Sequence, residues 1–100
     1  VEISKNINYG VLEVKLTGKF TFSDHLPFRD VLIEFADKDI SKVILHMAGL
    51  TFIDSAAIGM LLLVHDEAQK QNKEAVLLGV TGQVKKMIEL AKLNTLFIVR

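Results

Sequence analysis

The sequence predicts an α/β fold: a small mixed sheet of four or five strands packed by about three helices, in the order β-β-α-β-α-β-α-β. Three observations carry this. Leu12-Glu13-Val14-Lys15-Leu16 alternates apolar and charged residues strictly, the pattern of a strand with one wet face. Lys42–Met47 and Ala75–Gly79 are nearly continuous apolar runs, as expected of strands covered on both faces in parallel sheets. Between and after these strands lie stretches whose apolar residues recur at helical spacing. With 100 residues, half of them apolar, the chain makes one domain spanning 1–100.

The elements follow in order. Glu2 to Ile7 pairs antiparallel with the alternating strand through Asn8-Tyr9-Gly10, and Gly18 is expected to end that hairpin. Phe28, Val31, Leu32 and Phe35 form the stripe of a first helix. Ser23 or Asp24 can cap it, and Pro27 is tolerated in its first turn. After the Lys42–Met47 strand, Ala48-Gly49-Leu50-Thr51 reads as a lead-in to Phe52-Ile53-Asp54-Ser55 and a long helix to about Gln71. Thr81 is positioned to cap a third helix with the stripe Val84, Met87, Ile88 and Ala91. Leu96–Val99 is a short edge strand.

Composition removes several function classes. Lys+Arg 12 against Asp+Glu 12 leaves no net charge, which argues against a nucleic-acid backbone as partner. Cysteine is absent, so disulfides and thiolate metal sites are excluded. The longest apolar run, Ala56 to Val64, is far short of the about 20 residues that cross a bilayer, so no membrane insertion is expected. His25, His46 and His65 match no metal-ligand spacing. Ser55 and His65 are about 15 Å apart along one helix, too far to form a nucleophile–base pair. No catalytic residue, metal or cofactor is expected, and the setting is expected to be cytoplasmic.

The informative stretch is Phe52-Ile53-Asp54-Ser55-Ala56-Ala57-Ile58-Gly59-Met60-Leu61-Leu62-Leu63. Asp54 stands where its carboxylate can accept from the free amides of the first helical turn, and Ser55 falls at the first helical position. On a helical wheel Ala57, Met60, Leu61, Val64 and Ala68 face the sheet. Ser55, Ile58, Gly59, Leu62 and Leu63 share the opposite side, joined later by Asp66, and this face is unexpectedly apolar for a surface helix. Gly59 costs a helix about 1 kcal/mol relative to alanine. Either it relieves crowding against a neighbouring helix, or it opens a notch for another protein beside the hydroxyl. A serine beside an aspartate at a helix start is, on geometry alone, more often a cap than a site.

Asp54-Ser55-Ala56-Ala57-Ile58-Gly59 resembles the Asp-Ser-(Ser/Thr/Ala)-Gly-Leu-Gly signature of the STAS domain family, whose bacterial members include anti-sigma factor antagonists. The order of elements is similar to that family over essentially the whole chain. The resemblance implies a non-enzymatic partner-switching protein in which Ser55 is the phosphoacceptor. Asp54 would be the cap and kinase contact, and Gly18, Ile58, Gly59 and Leu62 would bind the partner. That partner would be an anti-sigma factor with a serine protein kinase fold, and a PP2C-type phosphatase would reverse the modification. Ala57 stands where the family often has glycine. Gly18 matches the loop after the second strand, whereas the acidic residues common there are replaced by Lys19-Phe20-Thr21-Phe22. Two alternatives use the same fold: a constitutive scaffold or accessory subunit of a transporter or signalling complex, and a small-ligand (nucleotide) sensor. The sequence leaves the oligomeric state open.

Overall fold

In the computed structural model, which describes residues 1–100, strands β1 (Glu2–Asn8) and β2 (Val11–Phe20) open the fold. They are followed by α1 (His25–Phe35), β3 (Lys42–Ile53), α2 (Ser55–Gln71), β4 (Glu74–Leu78), α3 (Gly82–Leu90) and β5 (Ile98–Val99). Short 3-10 turns at Phe22–Asp24 and Leu93–Thr95 precede α1 and β5. The predicted order of elements is the observed one.

The five strands lie in the order β1-β2-β3-β4-β5. β1 and β2 are antiparallel, from Glu2 opposite Thr17 to Asn8 opposite Val11, and every later neighbour is parallel. Tyr9 and Gly10 make the hairpin turn, both with positive φ (51° and 77°), as two-residue hairpin loops require. Each parallel step needs a crossover, and each crossover contains one of the helices.

All three helices pack on one face. A single apolar cluster joins alternate strand residues (Leu12, Val14 and Leu16 of β2; Val43, Leu45 and Met47 of β3) to all three helices. α1 contributes Phe28, Val31 and Phe35, α2 Ala57, Leu61 and Val64, and α3 Val84 and Ile88. The opposite sheet face carries Glu13, Lys15, Lys42, His46 and Glu74, so β3 is not covered on both sides as its composition suggested. Ile44 and His46 are only half-buried there. On that face a hydrogen bond joins His46 and Glu13 (2.8 Å) and an ion pair joins Lys42 and Glu74 (3.4 Å).

The main departure from the sequence reading is the length of β2 and β3. Gly18 does not end the hairpin; β2 passes through it, at φ 93°, to Phe20. Ala48–Thr51 is not a lead-in but strand, and β3 continues to Ile53. The physical reason is a pair of register shifts in which β3 carries an extra residue between His46 and Gly49 and another between Leu50 and Phe52. Each bulge resets the alternation, so Leu50 and Ile53 return to the core while the residues between them stay exposed. Gly49 sits at the first bulge. A Cβ there would lie 2.6 Å from Thr17 Cγ2 and 3.1 Å from the Leu16 carbonyl oxygen, so the close approach of the strands requires glycine.

Smaller corrections concern the caps. Neither Ser23 nor Asp24 caps α1 through its side chain. The Asp24 carboxylate accepts instead from the Thr21 amide (2.9 Å) and the Val1 ammonium (3.0 Å). Burial alone would raise its pKa, but the Thr21 hydrogen bond and the bonded ammonium outweigh burial and hold the carboxyl below its usual range. Thr81 occupies the N-cap of α3 in extended conformation without a side-chain bond. Ala91 is exposed at the C-cap rather than part of the buried stripe, and β5 is shorter than Leu96–Val99.

Candidate functional site

β2 and β3 end side by side, with Phe20 opposite Ile53, and α2 starts two residues later. The end of a parallel pair is where open α/β sheets place their functional loops. Asp54 turns the chain. It is extended (φ −107°, ψ −178°), and its Oδ1 accepts from the Ala57 amide at 2.9 Å, which caps the helix. Its Oδ2 accepts from the Phe22 amide at 3.1 Å. One carboxylate therefore fastens the start of α2 to the segment leaving β2, with both oxygens engaged.

Because Asp54 does the capping, Ser55 is released from it. Ser55 is the first residue of α2, is exposed, and its hydroxyl makes no hydrogen bond within the chain. The Ser55 and Ala56 amides point out of the first turn without intrahelical partners, at the positive end of the helix dipole. One turn on, Gly59 is exposed and a Cβ built there would meet nothing within 4 Å. Crowding against a neighbouring helix therefore does not explain the glycine. Leu62 (36% exposed) and Leu63 (52%) continue this outer face.

Ile58 does not belong to it. The wheel placed it beside Ser55, yet only 9% of it is exposed and it joins the core. At about 100° per residue, Ile58 lies about 60° round from Ser55 and close to the direction of His65. The His65 ring meets Phe97 at 5.9 Å between centroids, so this flank turns toward the C-terminal part of the chain. Gly18 lies at the same end of the sheet, opposite Leu50, with its carbonyl accepting from the Thr51 hydroxyl at 3.3 Å. It is exposed but sits in the sheet layer, apart from the outer face of α2. The structure thus brings Asp54, Ser55, Gly59 and Leu62 together, buries Ile58, and leaves Gly18 to one side.

Two participants escaped the sequence reading. Phe22, whose amide holds Asp54, is 65% exposed and stacks on His25 at 4.9 Å; Leu26, the second residue of α1, is 61% exposed. These extend the apolar rim beyond α2. The second is Gln83. Its Oε1 accepts from the Ile53 amide and its Nε2 donates to the Ile53 carbonyl, both at 3.0 Å. A phenylalanine at the end of the Lys19–Phe22 stretch that follows Gly18 was the available signal for the first, whereas no periodicity or motif marks Gln83.

The three histidines sit in separate contacts: His25 with the Phe22 carbonyl, His46 with Glu13, and His65 against Phe97. No group of three or more His, Cys, Asp or Glu side chains is gathered to hold a metal ion. No helix is long and apolar enough to cross a membrane.

Comparison with known proteins adds a family and a set of folds. The sequence model of the STAS domain matches residues 2–100. A STAS-domain containing protein of Pseudomonas aeruginosa is 30% identical over 86 residues, covering 86% of this chain and 84% of that protein. Among solved structures, the anti-sigma factor antagonist SpoIIAA in its unphosphorylated form is similar with a TM-score of 0.79, at 14% identity over 99% of this chain and 87% of the other. The phosphorylated form of SpoIIAA, from Bacillus, gives a TM-score of 0.80 at 15% identity, over 99% and 91% of the two chains. A sulfate transporter family protein from Wolinella succinogenes gives 0.76 at 19% identity, over 95% and 80%.

Proposed function

The chain belongs to the STAS domain family, and from that premise we propose that it is a non-enzymatic partner-switching module of the anti-sigma factor antagonist type. In this reading the unmodified domain docks a serine-kinase anti-sigma factor on the outer face of α2, phosphorylation of Ser55 releases it, and a PP2C-type phosphatase resets the protein. The observation that carries the reading is the free, exposed hydroxyl of Ser55 beside an unfilled notch at Gly59, while Asp54 alone supplies the cap.

The electrostatics suit a switch that leaves the fold intact. A phosphoserine carries about −1.5 to −2 charges at neutral pH. The amides and dipole at a helix start favour an anion by about 0.3–1 kcal/mol, rising to about 2 when partly buried. Asp54 opposes this: two unit charges about 6 Å apart repel by about 3 kcal/mol at an effective dielectric near 20, and by less than 1 in water. For an exposed group these nearly cancel. The similarity of this chain to SpoIIAA in both its states, at TM-scores of 0.79 and 0.80, supports a switch without large rearrangement.

Docking changes the balance. A partner pressed onto Gly59, Leu62 and the Phe22 rim strips water from the phosphate without a matched cation, and such an unpaired charge costs several kcal/mol, where each 1.4 kcal/mol is tenfold in affinity. The test is direct. Each serine-kinase-fold protein encoded in the same genome is incubated with the domain and ATP. Intact mass should show one added phosphate that Ser55→Ala abolishes, and the purified phosphoprotein should bind that partner far more weakly. Equal affinity of the two forms would overturn the reading.

A second reading, a permanently bound accessory domain of a transporter, is favoured by the likeness to the Wolinella succinogenes protein. Under it Ser55→Asp leaves complex formation unchanged, whereas the switch reading expects it to weaken binding.

A further inference from the structure

β4 ends at Leu78, opposite His46, while β3 runs on to Ile53. The last residues of β3 are thus paired with β2 on one side only. At Ile53, the residue just before the Asp54–Ser55 turn, the missing neighbour is replaced by a side chain. The Gln83 carboxamide accepts from the Ile53 amide and donates to the Ile53 carbonyl, two bonds of 3.0 Å that reproduce what an adjacent strand would offer. From the other side the junction is held by the Asp54 amide on the Phe20 carbonyl (3.4 Å) and the Phe22 amide on the Asp54 carboxylate (3.1 Å).

We propose that Gln83 is a positioning residue for Ser55: from the first turn of α3 its carboxamide fixes the backbone of Ile53, and so sets the direction in which Asp54 and Ser55 leave the sheet. The chemistry is specific to a primary amide. A donor and an acceptor on one planar group, in side-by-side geometry, are required to satisfy both backbone atoms of one residue. Gln83 is partly buried, so an apolar replacement leaves the Ile53 amide and carbonyl without partners in a half-dry setting. The inference rests on the reading of Ser55 as the phosphoacceptor, and it extends the site to α3, which the helix outer face does not reach.

Amide hydrogen exchange and backbone chemical shifts test it on the unmodified domain, with no kinase required. In Gln83→Leu the Ile53 amide is expected to exchange about tenfold faster, as for loss of a net hydrogen bond or two. Shifts should move at Ile53 to Ala57, while amides of Leu45 and Val14 keep their protection. Gln83→Glu supplies a signature that a merely structural loss does not give. Its carboxylate still accepts from the Ile53 amide but cannot donate, and on acidification through its own titration the protonated carboxyl donates again. The junction resonances should then return toward their wild-type positions. In the kinase assay above, Gln83→Leu should lower the rate of Ser55 phosphorylation about tenfold, again the loss of about 1.4 kcal/mol. Unchanged exchange at Ile53, a loss of protection spread evenly over the sheet, or no acid-dependent return in Gln83→Glu would overturn the proposal. If these arms hold while wild-type Ser55 is never modified, the partner-switch reading falls and the positioning of Ser55 by Gln83 stands.

Discussion

α2 presents two faces built from similar residue types that answer to different demands. Ala57, Leu61 and Val64 are fully buried against the sheet, and Met60 and Ala68 nearly so. On the other side Leu62 and Leu63 are equally apolar yet 36% and 52% exposed, and Gly59 has open space where its side chain would be. The inner face is explained by the domain itself. The domain explains the outer one less well: its leucines stay partly in water and its glycine carries a helix-propensity cost. In the proposed reading, this apolar, notched face beside a free hydroxyl is where a partner outside the chain docks.

The contrast can be broken most forcefully from the inside. Leu61→Ala removes a fully buried side chain from beneath the helix and should destabilise the domain by about 2–5 kcal/mol, read as a lower urea midpoint with an unchanged slope. A cost below about 1 kcal/mol would mean that α2 is not anchored as described. Next in size is Gly49→Ala, expected to cost about 1–3 kcal/mol, because the added methyl meets Thr17 and the Leu16 carbonyl across the β2–β3 bulge. Thermal unfolding checks it; a neutral outcome would show that the bulge relaxes freely.

The same two regions differ in how far the sequence disclosed them. Strict alternation in Leu12–Leu16 and the apolar runs at Lys42 and Ala75 were enough for element order. The alternation matches the burial of β2, and an apolar run marks a strand even where one face, as at Ile44, is only half-buried. The second half of β3 was hidden because two bulges break the period of two, and Ala48-Gly49 looks like a turn although Gly49 serves a close strand approach. At the site, the helix start at Ser55 and the capping role of Asp54 were legible, since both are local. Ile58 was misplaced because a wheel gives direction but not what covers each flank. Phe22 could be read only as a loop residue and Gln83 not at all, since their roles arise from contacts 32 and 30 residues away in the chain.

The cap should be worth less than the core. Asp54→Ala removes the acceptor of the Ala57 amide and releases Phe22, with an expected cost of about 0.5–2 kcal/mol. Its amide exchange should rise at Phe22 as well as Ala57; a rise at Ala57 alone would mean that the tie to Phe22 carries no weight. Gly59→Ala should move the other way from Gly49→Ala. The new methyl meets nothing, so the helix gains up to about 1 kcal/mol of propensity and the melting temperature rises. If the notch receives a partner, the more stable variant should nevertheless bind it less well.

Ser55→Ala should have the smallest effect on the free domain and the sharpest effect on its regulation. The hydroxyl accepts from and donates to nothing in the chain, and alanine is the better helix former, so stability should stay within about 0.5 kcal/mol of wild type. Urea unfolding of the two proteins side by side measures this. The neighbouring pair is then expected to separate folding from the proposed switch within two residues: Asp54→Ala weakens the fold, while Ser55→Ala leaves it alone and removes the proposed phosphoacceptor. A clear loss of stability in Ser55→Ala would place the serine inside the capping machinery. The outer face of α2 would then lose the free hydroxyl on which the switch reading rests.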